Sequence, residues 1–552
     1  MADNMGHAES DLFAAFEASA RTHSDRVALK AEGGKGKSYT YGEAADLATK
    51  LAAGLSSAEF DDAPEIGLLS ENRPEWPITY LGIIGAGKTV VPIDANLKPN
   101  EIEYIVKNAQ LKVIFTSQKL KGKLSEFAGK LKIVLFSEDG DDSWKHLLQD
   151  GQRSRSAHAG TTAALIYTSG TTGTPKAVML THGNLLANLE GVRLSLQFDQ
   201  DDVFLSVLPL HHTFEATCGF LAAVTSGSTI VYARSLKSRE ILEDIALNGV
   251  TVMCGVPLLF EKMYHAIRRG INAAPAVRRA LFQSTFTVSR LGWKVRFRTG
   301  RAMFAALREA AGLGTIRMLV SGGAPVPAEI ASFFNYLGFD FMPGYGLTEC
   351  SPVVSVNLPG DIRFGSVGPP LKNLEIKIDN PGTDGVGEIL VKGPSVMPGY
   401  RNNAEATSKI LKDGWLATGD LGKIHKGHLW ITGRQKNVIV SAAGKNIYPE
   451  ELEERFSTSQ YVAESVVFGR KKENKPGEEV RALIVPELEQ FRVEFGIAVE
   501  NPDIKQIWPV LEKVVAEINA QVADYKRIDG FDVQLEELEK TSTKKVKRFM
   551  YK

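Results

Sequence analysis

The chain has 552 residues, with 65 basic and 65 acidic side chains and a formal net charge of zero. At ~100–200 residues per domain this length accommodates several folding units with large cores, and the balanced charge creates no whole-protein field directed at nucleic acid. Hydrophobic residues make up 43% and charged residues 24%, which is ordinary for a soluble globular protein.

Cys218, Cys254 and Cys350 are the only cysteines, without CxxC spacing. A disulfide framework and structural zinc are therefore not expected, and a reducing, cytoplasmic setting is. The first residues lack the basic and apolar regions of a signal peptide. No run reaches the ~18–20 apolar residues of a membrane span.

Apolar spacing over residues 11–56 predicts helix. Short β-rich runs then alternate with helix-like segments: EIGLLS, PEWPITYLGIIGAG, TVVPID, EIEYIVKNA and KVIFTS. This predicts an α/β fold with parallel-sheet layers. The alternation continues through AALIYTS, GSTIVYA, TVMCGVP and IRMLVSGGA. LEIKID and GEILVKG, joined by a Gly/Pro/Asp-rich segment, predict a β-hairpin in a small β-rich subdomain. A large N-terminal body, 1–432, is expected to precede a small mobile α+β domain, 433–552.

Residues 82–89, GIIGAGKT, fit the P-loop pattern. A functional P-loop follows a strand and opens a helix. Here a helix-like run precedes the glycines and a strand-like run follows, which predicts a helix cap and a tight turn.

YTSGTTGTPKAVMLTHGNL, residues 167–185, is the strongest chemical signal. A β-rich run enters it and a helical run from about His182 leaves it. Thr168, Ser169, Gly170, Thr171, Thr172, Gly173 and Lys176 combine glycines that let backbone N–H groups approach an anion, hydroxyl donors and one positive charge. That is chemistry for holding a polyphosphate.

This string resembles the signature loop of the acyl-activating superfamily of acyl-CoA synthetases, adenylation domains and luciferases. Further motifs follow in the family's order over nearly the whole chain. In LPLHHTFE, 208–215, the resemblance places His212 beside the acyl pocket and adenylate. Phe214 and Glu215 are similar to long-chain fatty acyl members. His211 and His212 are not expected to form a metal pair, because neighbouring strand positions point oppositely. In SGGAPV, Gly323, Ala324 and Pro325 would line the adenine pocket.

In GYGLTE, 344–349, the resemblance implies that Tyr345, flanked by Gly344 and Gly346, stacks on adenine. Thr348 would touch the α-phosphate, and Glu349, with Thr168, would hold magnesium. Asp420 and Arg434 would hold the ribose. Lys436 occupies the hinge position, with Asn437 where many members carry aspartate. Gly444 corresponds to the glycine near the pantetheine arm. In KTSTKKVKR the catalytic lysine falls at Lys545, three residues before Arg548, although Lys544 stands where glycine is usual.

The reaction the resemblance implies has two steps. ATP and a carboxylic acid give an acyl-adenylate, and coenzyme A takes the acyl group. A medium- or long-chain fatty acid is the expected substrate, with free coenzyme A as acceptor because the chain ends four residues after Arg548. Another acid, a separate carrier protein, luciferase-like oxygenation and a degenerate binding protein without turnover stand as alternatives.

Between Arg268 and Arg308 lie ten Arg or Lys residues and no Asp or Glu, interleaved with Leu281, Phe282, Phe286, Leu291, Trp293, Phe297 and Phe304. Two readings are open. One is peripheral contact with an anionic membrane. The other is a solvated face paired with acids elsewhere.

Overall fold

The computed structural model describes residues 11–34, 36–151, 153, 157–168, 175–442, 444–471, 477–540 and 546–551. Two large sheets carry the α/β alternation expected from the sequence. The seven-stranded sheet has the spatial order Gly399–Tyr400, Lys176–Thr181, Thr162–Thr168, Thr89–Ile93, Glu65–Leu69, Val113–Thr116 and Lys132–Leu135. From Thr162–Thr168 onward its pairs are parallel. Val113–Thr116 is buried throughout, as expected of parallel strands covered on both faces.

The eight-stranded sheet has the order Val353–Val356, Asp340–Gly346, Met318–Ser321, Val252–Gly255, Val203–Ser206, Thr229–Tyr232, Val27–Lys30 and Ser38–Thr40. Its inner pairs are parallel, and both edge strands are antiparallel. Helices between the sheets knit them into one core, where Trp76, Tyr80 and Phe220 meet with ring centroids 5.4–6.0 Å apart.

The single helical stretch expected over 11–56 is corrected. Helices Leu12–Thr22 and Tyr41–Leu55 are separated by strands Val27–Lys30 and Ser38–Thr40. Val27–Lys30 extends the eight-stranded sheet beside Thr229–Tyr232, a distant pairing that local apolar spacing does not encode. Asp11 and Thr40 cap the two helices.

The P-loop-like string has the predicted reversed order. Helix Glu75–Gly85 ends there, Gly87 turns at φ 70°, and strand Thr89–Ile93 follows. Lys88 is buried and donates to the carbonyls of Phe60 (2.5 Å) and Ala63 (3.0 Å). Its ammonium serves a turn.

A five-stranded sheet contains the predicted hairpin, with Glu375–Asp379 antiparallel to Gly387–Lys392. It continues through Trp415–His425, flanked by Leu411–Lys412 and His428–Arg434. The boundary expected between Thr432 and Gly433 falls near the end of this last strand.

Beyond it, Val462–Lys471, Glu478–Pro486 and Gly530–Val533 form a three-stranded sheet. Helices Pro449–Ser457 and Ile504–Asn519 cover it around Leu452, Phe456, Val467, Ile484, Leu511 and Phe531. Helix Pro449–Ser457 docks this unit on the body. The Glu454 carboxylate accepts from the Ala328 amide (3.0 Å), and a His265 ring nitrogen lies 3.1 Å from the Ser457 carbonyl. Among the described residues, no helix is long and apolar enough to cross a membrane.

Candidate active site

Sheet register brings Asp420 and Arg434 together, because they are direct partners on antiparallel strands. Arg434 Nε donates to Asp420 Oδ1 (2.6 Å). From the eight-stranded sheet, the Tyr345 hydroxyl donates to Asp420 Oδ2 (2.8 Å). Burial, reinforced by Asp420, pushes the Tyr345 hydroxyl well above its ordinary range and keeps it a donor. Each carboxylate oxygen has a second lone pair, so Asp420 can still accept from two vicinal hydroxyls. Gly346 allows close approach here, since a Cβ would lie 2.0 Å from the Pro352 carbonyl.

The turn Thr348–Cys350 continues from this strand. The Thr213 and Thr348 hydroxyls are 3.4 Å apart. Glu349 Oε1 accepts from the Tyr400 hydroxyl (2.7 Å), and the Lys176 ammonium sits 5.0 Å from the Tyr400 ring centroid. Burial, then Glu349, raises the Tyr400 hydroxyl far above its ordinary range. A cation thus stands behind the ring that orients the carboxylate.

Thr168 and Lys176 are partners at the end of an antiparallel hairpin. Ser169, Gly170, Thr171, Thr172 and Gly173 belong to its connection and lie outside the described residues. Strand Lys176–Thr181 separates this connection from helix His182–Leu196, whose start has a Thr181/Asn184 capping box. The helix begins where the sequence predicted.

The segment 208–215 lies against the other motifs. A Cβ at Gly322 would be 3.1 Å from the Phe214 ring, which places SGGAPV beside it. Gly323 has φ 86°, a conformation suited to glycine; Ala324 and Pro325 follow. The strand-based argument about His211 and His212 is corrected. Both residues precede the helical segment in a turn, and their rings are adjacent, with centroids 4.0 Å apart. His211 Nε2 is 3.5 Å from Asp94.

Glu215 is buried. Ser206 donates to its Oε1 (2.6 Å), while Oε2 is buried without a hydrogen bond among the described residues. Burial pushes this carboxyl up to about 8, with the Ser206 hydrogen bond acting the other way.

Lys436 lies in the short turn Gln435–Asn437. Asn437 Nδ2 donates to Glu450 Oε1 (2.7 Å). Glu450 is 3.9 Å from the Arg548 guanidinium, which also pairs with Glu453 and donates to the Val467 carbonyl (3.0 Å). Arg548 therefore anchors the C-terminal tail. Lys544 and Lys545 lie outside the described residues. Gly444 turns between Ile439–Val440 and Asn446–Ile447 with φ 72°, and a Cβ there would meet nothing within 4 Å.

Tyr400 and Thr213 escaped the sequence reading as site residues. Thr213 could have been found inside LPLHHTFE. Tyr400 had only a Gly-Tyr-Arg string as a signal.

The described residues contain no group of three or more His, Cys, Asp and Glu placed to hold a metal. A single carboxylate held in place by Tyr400, as Glu349 is, suits the chemistry of magnesium, which retains waters and binds through one or two carboxylates plus substrate phosphates; the Thr168 hydroxyl has the Lys176 carbonyl 3.5 Å away.

These features form one polar cluster built across three sheets. The family model described as "AMP-binding enzyme" matches residues 16–401, and "AMP-binding enzyme C-terminal domain" matches residues 436–550. The chain belongs to the AMP-binding enzyme family. It is 30% identical over 468 residues to "Long chain acyl-CoA synthetase 7, peroxisomal" of Arabidopsis thaliana, covering 78% of this chain and 66% of that protein. It is 30% identical over 461 residues to "Long-chain-fatty-acid--CoA ligase FadD15" of Mycobacterium tuberculosis, covering 78% and 75%. The fold superimposes on the anthranilate CoA ligase AuaEII in complex with anthranoyl-AMP, with a TM-score of 0.79 at 22% identity, covering 98% of this chain and 96% of that one.

Proposed function

We propose that this chain is an ATP-dependent acid–thiol ligase that adenylates a long-chain fatty acid and transfers the acyl group to coenzyme A. The observation that carries the reading is the convergence of Tyr345, Asp420 and Arg434 beside the Thr348–Glu349 turn. Family membership gives this cluster its chemical meaning.

The Tyr345 ring offers a π-face to adenine. Asp420, oriented by Tyr345 and Arg434, accepts from the ribose hydroxyls. Thr348 and the 168–176 connection donate to phosphate oxygens. A bound magnesium ion would neutralise phosphate charge, with Glu349 and Thr168 as its protein ligands. Tyr400 fixes the Glu349 carboxylate for that task.

The acid carboxylate attacks the α-phosphate, and the bond to the pyrophosphate oxygen breaks. Positioning and charge stabilisation dominate catalysis of such a transfer. Lys545 supplies positive charge at this step. The coenzyme A thiol then attacks the activated carbonyl and AMP leaves. Between steps, the unit 433–552 turns against the body 1–432 about Lys436, bringing Gly444 to the pantetheine path. His212 borders the acyl pocket. The three cysteines, all free and buried, support a reducing cytoplasmic setting.

Pyrophosphate release over a panel of acids tests the reading. Saturated acids of roughly ten or more carbons should exceed acetate and benzoate in kcat/KM, since each buried methylene contributes ~0.8 kcal/mol. A higher kcat/KM for acetate or benzoate would overturn the fatty-acid assignment.

A further inference from the structure

Helix Ala276–Lys294 is apolar on two opposite sides. One side is accounted for. Phe282, Phe286, Ser289 and Trp293 recur at four- and three-residue intervals. Phe286 packs on Phe333 and Tyr336, Trp293 stacks on Phe364 (5.5 Å), and Ser289 donates to the Tyr336 carbonyl (2.7 Å).

The other side faces solvent. At about 100° per residue, Val277, Leu281, Val288, Leu291 and Val295 form a second stripe opposite the packed one. Val277 is 81% exposed, Leu281 66% and Val295 75%. Phe297, in the turn just beyond the helix, is 69% exposed. An isolated exposed apolar side chain is ordinary, but a continuous exposed stripe marks an interaction surface.

The charge around the stripe identifies the partner. No acidic residue lies between Lys262 and Arg308. Of the basic residues from 278 to 301, Arg298 forms an ion pair with Asp340 (2.8 Å). Arg278, Arg279, Arg290, Lys294, Arg296 and Arg301 form none among the described residues. For these six residues the reading of a solvated face paired with acids finds no partner among the described residues.

We propose that Ala276–Lys294 and the following turn form a membrane-docking surface for a bilayer containing anionic lipids. The apolar stripe enters the boundary between headgroups and acyl chains, and the unpaired basic residues contact the anionic headgroups. Outside residues 262–308 the chain has 54 basic against 65 acidic side chains, a net negative balance that supplies no general attraction to an anionic bilayer, so the segment determines which face meets it. A second copy of the chain fits less well, because two such faces would oppose like charges. The inference rests on the exposed stripe and its charge, independently of the acid used in catalysis.

The test is co-sedimentation of the full chain with phosphatidylglycerol/phosphatidylcholine vesicles and with pure phosphatidylcholine vesicles at low salt. Turnover of a water-soluble short acid is measured in parallel without vesicles. The wild type should bind the anionic vesicles and largely ignore the neutral ones. Leu281→Ser, Leu291→Ser and Val295→Ser together should weaken binding at least tenfold. Arg290→Glu, Lys294→Glu and Arg296→Glu together should weaken it at least hundredfold, since each basic residue contributes about fivefold. Both triple variants should retain short-acid turnover, which shows that they fold. Absence of wild-type binding to anionic vesicles would overturn the proposal. So would unchanged binding by either variant, equal binding to neutral vesicles, or a wild-type dimer in sedimentation velocity that the serine variant splits.

Discussion

Asn437 donates a carboxamide hydrogen to Glu450 across 2.7 Å, a bond that an ionised aspartate at this position could not make. Glu450 in turn approaches Arg548, so the turn Gln435–Asn437 and the anchor of the tail share one carboxylate. Asn437→Asp should place two carboxylates in contact at pH 8 and cost about 1–3 kcal/mol of stability. Near pH 4 the aspartic acid can be protonated and donate again, so the loss should shrink. Urea midpoints at the two pH values measure this; equal losses would mean that the Asn437–Glu450 bond does not contribute to stability.

Glu349→Gln should reduce adenylation at least a hundredfold and raise the magnesium concentration required. The amide keeps the shape but lacks the anion that a hard cation prefers. Tyr400→Phe should give a milder loss, roughly tenfold, because it removes one hydrogen bond to a charged group. Pyrophosphate release as a function of magnesium concentration separates the two. Unchanged magnesium dependence in Glu349→Gln would move the metal elsewhere.

The two half-reactions should separate by residue. Lys545→Ala should lose several powers of ten in pyrophosphate release, yet form thioester from pre-made acyl-adenylate and coenzyme A at a near wild-type rate. Gly444→Trp should do the reverse. The open space beside Gly444 means that its defect would arise from the positive φ and the blocked thiol path, without a clash in the present arrangement. Each half must be measured separately, because steady-state rates mix them. If Lys544→Ala has the larger effect on adenylation, the register of the tail is wrong by one.

Glu215 gives a pH-dependent prediction. Its folded value near 8 lies above its ordinary value of 4.5. Between those limits the unfolded chain releases a proton that the folded chain retains, so this group makes stability fall as pH rises from about 4.5 to 8. The slope approaches ~1.4 kcal/mol per pH unit inside that window. Glu215→Gln preserves an acceptor for Ser206 and removes the titration. Its stability relative to the wild type should therefore improve from pH 5 to pH 8, as measured by chemical denaturation. A constant difference between the two proteins would show that Glu215 titrates normally.

The alternating elements from Glu65 to Ser321 were legible because buried parallel strands and amphipathic helices have different apolar periods. Asp420 and Arg434 were legible as motif residues, but their contact was not. It depends on the register of two strands and joins side chains 14 positions apart. Tyr400 was illegible for a related reason: its partner Glu349 lies 51 positions away, and strand pairing delivers it. The strands within 11–56 were missed because Val27–Lys30 pairs with residues about two hundred positions later. Local periodicity contains no trace of that partner.

The seven-stranded sheet supplies Lys176 and Tyr400, the eight-stranded sheet leads to Tyr345 and Glu349, and the five-stranded sheet holds Asp420 and Arg434. None of these sheets alone contains the whole constellation. During refolding, nucleotide capture should return only after the last of the three has docked, later than the formation of secondary structure. Conversely, nucleotide bound across the seams acts as a clasp, favouring the assembled state by mass action. Loss of catalytic competence on heating should then precede the melting of any individual sheet, because loosening a seam is enough to dismantle the site.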